Sequence, residues 1–257
     1  MKYNRGMNQL TLVLPFALPA PELATDLLRA MQAPALAALL SRTSSHRFER
    51  HDNGTRMLPH EAWLAQALTP GTAGLGGAGP ALALAAMQGF KLGQDAGHWF
   101  IVNPVHIQIA RNHLLMDDPR KLQLEDADAR ALFESAKPYF EEIGKSLLYG
   151  DARTWFMRAD DWAGLRTATP DAATGQNLAA WMPEGDGAQA CRKLQNEIQM
   201  LWYQHPVNQA RQAMGQPAIN SFWPWGGADA GANGGIDADT RVANAKPLVL
   251  ANACTPW

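Results

Sequence analysis

The sequence predicts an α/β protein in which a layered sheet carries helices on both faces. Segments with alternating apolar residues follow segments with apolar residues at three- and four-residue spacing, and this succession continues along most of the chain. The chain has 257 residues, of which 47% are hydrophobic, so it is long enough to bury a substantial core.

Composition excludes several classes of function. The net charge is −2, and the basic residues are scattered, with no cluster denser than the pair Arg120-Lys121. We therefore expect the protein to bind neither nucleic acid nor an anionic membrane surface. Cys191 and Cys254 stand far apart without the spacing of a structural zinc site. We therefore predict no cofactor and assign no metal ligand.

An apolar run over residues 10–20 follows Lys2 and Arg5. Two prolines interrupt the run, and it is too short to cross a bilayer. We interpret residues 10–14 as a buried first strand in a cytoplasmic protein. An export signal is the alternative that the sequence leaves open.

The first third of the chain then reads as short helices and loops. Helices are predicted over 21–31, 34–40 and 60–68, because proline or acidic residues at their starts precede spaced apolar residues. Residues 41–57 are polar and predict a solvated loop, and the glycines of 71–79 predict a flexible turn.

The middle of the chain predicts a strand over 98–109, which Pro104 breaks or places at an edge. A long amphipathic helix follows over 125–145. Residues 147–149 and 154–158 then form a predicted hairpin that turns at Gly150-Asp151.

The last third contains the strongest local signals. Residues 188–203 form an amphipathic helix with Cys191 on its apolar face, and a second helix runs from Pro206 to Gly215. A strand over 219–225 ends in Gly226-Gly227. Residues 228–245 predict a mobile loop, and 247–251 predict a last strand.

Two motifs in this region go beyond pattern: the HPVN of residues 205–208, with Arg211 and Gly215, and the NSFWPWGG of residues 220–227. Together they resemble the segment of archaeal-type cofactor-independent phosphoglycerate mutases where an inserted domain returns to the main sheet. The similarity is closest to a proteobacterial branch described as regulatory or mutase-like. Residues 98–99, 103–106 and 194–200 fit the same branch.

The resemblance implies an alkaline-phosphatase-like core remnant with an inserted α+β subdomain. On this basis residues 1–95 and 219–257 belong to the core and residues 96–218 to the insertion. Mutases of this kind use two divalent metals and a phosphorylated Ser or Thr, which need several Asp and His ligands. Here residues 12–16 contain no carboxylate, and the chain has no Asp-His dipeptide. The resemblance therefore implies a scaffold without catalytic residues.

Polar groups gather beyond the carboxyl ends of the predicted strands, where ligands of open α/β sheets bind. We expect a pocket for an anion or phosphate ester there, and its candidate residues are His106, Arg111, His205, Asn208, Arg211, Asn220, Gly226 and Gly227. The structural alternatives are that His205 caps a helix, that Asn208 fixes a turn and that Arg211 is a surface or an ion-paired residue.

The sequence thus predicts a non-catalytic or regulatory protein on a phosphoglycerate mutase-like scaffold that binds a small anionic or phosphorylated ligand. The first alternative is a metal-dependent phosphotransferase whose ligands the sequence does not reveal. The second is a purely interacting protein that docks through the aromatic residues 222–225. The protein partner and the oligomeric state stay open.

Overall fold

A computed structural model of the chain describes residues 21–43, 55–68, 81–110 and 113–231, together with residues 13 and 15. The predicted strands at 10–14 and 247–251, the glycine turn at 71–79 and most of the polar loop at 41–57 lie outside these residues. Arg111 lies outside them as well.

In the first of two compact units, Met1–Asp52, the described residues form the helices α1 Pro21–Ala30 and α2 Pro34–Leu40. Both were predicted from the sequence. Among the described residues no single helix is long and apolar enough to cross a membrane, although α1 and α2 would meet the requirement as a pair bent by 114°.

The second unit, Asn53–Trp257, carries the remaining elements. In chain order they are α3 Pro59–Leu68, α4 Ala83–Gly89, β1 Gly97–Val105, β2 Ile107–Ala110, β3 His113–Met116, α5 Asp126–Glu142, β4 Ser146–Asp151, β5 Thr154–Arg158, β6 Leu165–Arg166, α6 Pro170–Ala173, β7 Glu184–Gly185, α7 Ala188–Tyr203, α8 Pro206–Ala213 and β8 Ser221–Ala230.

A four-stranded antiparallel sheet in the order β4–β5–β1–β8 organises this unit. Two-stranded pairs, β2 with β3 and β6 with β7, lie beside it. Helices pack on both faces of the sheet, as the sequence predicted: one face carries α5 and α7, and the other carries α4 and part of α3. The mixed α/β fold class is therefore confirmed.

Strand β1 is buried on both faces. Phe100 and Val102 belong to the core that α5 and α7 cover, whereas Trp99 and Ile101 belong to the core beneath α4. Successive side chains of a strand point to opposite faces, so one nearly continuous apolar strand supplies both cores. Pro104 lies beyond Val102, the last β1 residue paired with β5, and faces Phe222 of β8. The predicted break or edge strand at Pro104 is therefore wrong, because β1 is an interior strand that continues through Pro104 to Val105, although its pairing with β5 ends at Val102.

The larger core is built from aromatic rings. Trp155 meets the rings of Phe133 and Trp202 edge to face, at centroid distances of 5.3 and 6.0 Å. Cys191 lies in the same core, and burial raises the pKa of its thiol to about 12. Cys191 is thus a packing residue, as its place on the apolar face of the predicted helix indicated.

Three further expectations from the sequence are wrong: that Gly226-Gly227 ends a strand, that residues 228–230 belong to a loop, and that the hairpin turns at Gly150-Asp151. Gly226 and Gly227 do not end a strand, because β8 continues to Ala230 and pairs Asp229 with His98. Gly226 adopts a φ of 70°, where the register between β1 and β8 shifts, so the glycine accommodates an irregularity in a continuous strand. Residues 228–230 consequently belong to the sheet.

The predicted β4–β5 hairpin is present, but Gly150 and Asp151 lie within β4, and the turn falls at Ala152 and Arg153.

The division into a core of 1–95 and 219–257 with an insertion at 96–218 stays a prediction. Strand β8, from the proposed returning segment, pairs along the whole of β1.

The close packing of β1 against β8 leaves no space for a side chain at Gly227. A Cβ atom there would lie 2.7 Å from Nε2 of His98 and 2.9 Å from a ring carbon of Phe100. Because Nδ1 of His98 is held 2.6 Å from Asp229, the ring has little freedom to move away. We expect Gly227→Ala to lower the free energy of unfolding by about 1–3 kcal/mol in urea denaturation.

The matched control is Gly93→Ala, since Gly93 is exposed and its Cβ would meet no atom within 4 Å. Equal stabilities of the two variants would contradict the close packing of β1 and β8.

Candidate functional site

Asn208, in the first turn of α8, fixes the path between α7 and β8. Its amide nitrogen donates to the carbonyl oxygens of Trp202, at 2.9 Å, and Ile219, at 2.7 Å. Its amide oxygen accepts from the Ile219 backbone N–H at 2.8 Å. The side chain is buried, and the three hydrogen bonds join the end of one helix to the chain that enters the return strand.

Arg211 is also buried, at 1% exposure, and its guanidinium donates to three main-chain carbonyls. Nε reaches Pro217 at 2.9 Å, Nη1 reaches Gln123 at 3.2 Å, and Nη2 reaches Leu122 at 2.6 Å. Burial lowers the pKa of Arg211. The expected surface or ion-paired role is therefore wrong, because the side chain instead ties two loops together.

Asn220 and His106 make the same kind of bond at the start of β2. The Asn220 side chain accepts from the Ile107 N–H and donates to the Ile107 carbonyl, both at 2.8 Å, so it pairs with the backbone as a neighbouring strand would. Nδ1 of His106 lies 2.6 Å from the carbonyl oxygen of Ala218. We call His106, Asn208, Arg211 and Asn220 the return clasp.

The other predicted site residues lie elsewhere. His205 caps α8, since its Nδ1 accepts from the Val207 N–H at 3.3 Å, as the structural alternative predicted. The carbonyl of Gly226 accepts from Leu82 at 3.1 Å, and Gly227 packs against His98. The structure thus gathers four candidate residues into the clasp, and an anion pocket formed by all of them stays a prediction.

The lining of an open cleft of about 600 Å³ includes Gln123 and Gln216, which are both hydrogen-bonded to Arg211. Its lining residues are Arg120, Gln123, Leu124, Glu125, Asp128, Arg153, Met214 and Gln216. Arg120 is paired with Asp118 and Asp171, each at 2.9 Å. The exposed guanidinium of Arg153 has no hydrogen bond or ion pair among the described residues.

A second group of polar side chains forms where the starts of α3 and α6 meet. Ligand atoms of His60, Glu61 and Asp171 all lie within 4.8 Å of one another. We call these three residues the α3–α6 cluster. Nε2 of His60 stands 3.7 Å from Oδ2 of Asp171. A nitrogen and two carboxylates are donors that transition-metal ions accept.

Glu61 has a structural role in addition. Its Oε2 accepts from the Leu58 N–H and from the Thr169 hydroxyl, both at 2.7 Å, and Thr169 caps α6. One carboxylate therefore contacts the first turns of two helices, where negative charge is favoured. Burial, with a further contribution from the Asp171 charge, raises the pKa of Glu61.

The sequence analysis missed the α3–α6 cluster. His60 and Glu61 are adjacent in the sequence, but Asp171 lies more than a hundred residues away, so spacing gives no sign that the three meet. The one available signal was Glu61 at the third position of a helix that begins with Pro59, which predicts a cap and no ligand.

Comparison with known proteins gives one similar curated sequence. A Geobacter sulfurreducens protein described as a probable 2,3-bisphosphoglycerate-independent phosphoglycerate mutase is 27% identical over 150 residues. These cover 55% of this chain and 36% of the relative, so the chain spans about a third of that protein's length. No protein-family model matches the chain.

Two solved structures show weaker similarity. The cofactor-independent phosphoglycerate mutase of Thermoplasma acidophilum aligns with a TM-score of 0.45 and 11% identity, over 65% of this chain and 46% of its own. The PH0037 protein of Pyrococcus horikoshii aligns with a TM-score of 0.33 and 17% identity, over 57% of this chain and 32% of its own. Scores this low carry no conclusion about activity.

The return clasp predicts a large stability cost for a small substitution. Asn208→Ala removes three buried hydrogen bonds and takes the side-chain partner from the N–H and the carbonyl of Ile219, whereas the Trp202 carbonyl keeps the His205 N–H. We expect the free energy of unfolding to fall by about 2–4 kcal/mol in urea denaturation.

The matched variant Gln212→Ala is the control, because Gln212 is exposed on the same helix and should change stability by less than about 0.5 kcal/mol. A stable Asn208→Ala protein would remove the structural role assigned to the clasp.

Proposed function

We propose that this chain is a regulatory pseudo-enzyme of the proteobacterial mutase-like branch, built on a phosphoglycerate mutase-like scaffold and binding a small anionic ligand. The observation that carries the proposal is the bonding of the return clasp. Asn208, Arg211 and Asn220 belong to the segment that resembles the mutases, and the hydrogen bonds of all three side chains end on main-chain groups. The resemblance therefore concerns residues that maintain the scaffold.

The sequence supports the non-catalytic part of the proposal. Phosphoryl transfer by two metals needs carboxylates and imidazoles at the ends of the central strands, and residues 12–16 supply no carboxylate. The similar Geobacter protein is described as a mutase, but the alignment covers only 36% of it. We therefore do not assign the mutase activity of the Geobacter protein to this chain.

The cleft beside Arg211 is the site that we propose for the anion. Arg153 supplies an exposed guanidinium, and the side chains of Gln123 and Gln216 supply neutral donors in the same lining. A guanidinium can hold a carboxylate or a phosphate by two parallel hydrogen bonds. The acidic lining residues Glu125 and Asp128 oppose an anion, so we expect the binding to be weak.

The alternative is a metal-dependent phosphotransferase, and the α3–α6 cluster is the observation that favours it. The two functions separate in an assay of 2- and 3-phosphoglycerate interconversion and of phosphate-ester hydrolysis, with Mn²⁺, Mg²⁺ or Zn²⁺ added. A cofactor-independent mutase serves as the positive control. We expect no turnover above background. Metal-dependent turnover that is lost in Asp171→Asn would establish the phosphotransferase.

The proposed anion site predicts that binding depends on Arg153. We expect 3-phosphoglycerate or inorganic phosphate to bind the full chain in isothermal titration calorimetry, and Arg153→Ala to weaken binding about tenfold through loss of a charged hydrogen bond.

The control is Arg192→Ala, because Arg192 is an exposed arginine of α7 outside the cleft lining. Equal weakening by both variants would indicate general charge attraction, and the cleft would then not be the binding site.

A further inference from the structure

We propose that His60, Glu61 and Asp171 bind one first-row divalent cation of the Zn²⁺ type, a property separate from the anion binding proposed above. The α3–α6 cluster is the one group of three or more metal-ligating side chains that the described part of the chain brings together. Its members come from two helices and from distant parts of the sequence.

The distances suit a shared ion better than direct contact. Nε2 of His60 and Oδ2 of Asp171 are 3.7 Å apart, which is longer than a hydrogen bond. Two ligands bound to one tetrahedral zinc at about 2.0–2.1 Å stand about 3.3 Å from each other. Small side-chain movements would therefore bring the three ligand atoms, now within 4.8 Å, to bonding distance.

Each of the two carboxylates is hydrogen-bonded or ion-paired through one of its oxygens, and its second oxygen is available to a metal ion. Oε2 of Glu61 accepts from Leu58 and Thr169, whereas Oε1 has no hydrogen bond among the described residues. Oδ1 of Asp171 accepts from Arg120 at 2.9 Å, and Oδ2 faces His60. Partners that orient the first ligands in this way are typical of protein metal sites.

The charge of the cluster favours a cation. Among the described residues Asp171 pairs with one permanently charged cation, Arg120, whose guanidinium is shared with Asp118. Glu61 is only 7% exposed, and a buried carboxylate without a balancing charge is unfavourable. A divalent ion would bring the needed positive charge to the place where both carboxylates point.

The donor set selects the type of ion. One imidazole nitrogen with two carboxylate oxygens suits Zn²⁺, Mn²⁺ or Fe²⁺, whereas Mg²⁺ and Ca²⁺ prefer oxygen ligands throughout. Three protein ligands leave at least one position for water, so the ion would be accessible to exchange.

The experiment is a titration of the metal-stripped full chain with Zn²⁺ by calorimetry, together with the visible absorption of the Co²⁺-loaded protein. We expect one ion per chain, and His60→Gln and Asp171→Asn should each weaken binding about 100-fold. The paired controls are His113→Gln and Asp186→Asn, which change the same residue types outside the cluster and should bind as the wild type does.

A wild-type chain that binds no Zn²⁺ at millimolar concentration would overturn the proposal, and so would ligand variants that bind as tightly as the controls. The Co²⁺ spectrum tests the site without any variant. Nitrogen and oxygen ligation supports the cluster, whereas an intense thiolate charge-transfer band would assign the ion to a cysteine and overturn it.

Thr169 is a positioning residue in this scheme, because its hydroxyl holds Oε2 of Glu61 at 2.7 Å. Thr169→Ala should weaken Zn²⁺ binding about tenfold, and Thr169→Ser should restore it. Equal affinities of the alanine and serine variants would contradict that role. Calorimetry with 3-phosphoglycerate on the His60→Gln and Thr169→Ala proteins reports on the anion site separately, because these substitutions keep the ion pair between Asp171 and Arg120 of the cleft lining.

Discussion

The burial of β1 on both faces is the constraint on which the rest of the second unit depends. A strand without a solvent face needs a hydrogen-bonded neighbour at each edge and an apolar cover above and below. Strands β5 and β8 supply the edges, α5 and α7 cover one face, and α4 covers the other. Since β8 comes from the far end of the described chain, its entry into the sheet must be fixed by contacts outside the sheet.

The return clasp provides that fixation through buried polar side chains. Buried amides and guanidinium groups are tolerated only when their hydrogen bonds are made, and Asn208 and Arg211 make theirs to main-chain groups of loops that have no regular partners. Residues that resemble those of a mutase can thus be shared because the scaffold needs them. Chemistry depends on side chains that face a ligand, and these can differ on the same scaffold.

Local sequence patterns predicted the longer helices of the second unit and gave no indication of the α3–α6 cluster. The bounds of α7, Ala188–Tyr203, agree with the prediction, because the sequence contains an apolar stripe at helical spacing and residues at both ends that favour the start and the end of a helix. Gly226-Gly227 looked like a strand end, but pairing with β1 overrides the local preference of glycine. Helix α4 is short and rich in alanine, so it gave no periodic signal and was not predicted. The α3–α6 cluster depends on tertiary contacts between distant segments, and one sequence contains no trace of them.

The pairing of Gly97 with Ala230 and of Val105 with Ser221 has a consequence for biosynthesis. During translation β1 and β5 leave the ribosome well before β8, so one edge of the most apolar strand stays without its final neighbour while the intervening helices are made. Pairings between such distant segments form slowly, and exposed apolar edges promote association between nascent chains. The yield of folded protein should therefore depend on how soon β8 is synthesised after β1 and β5.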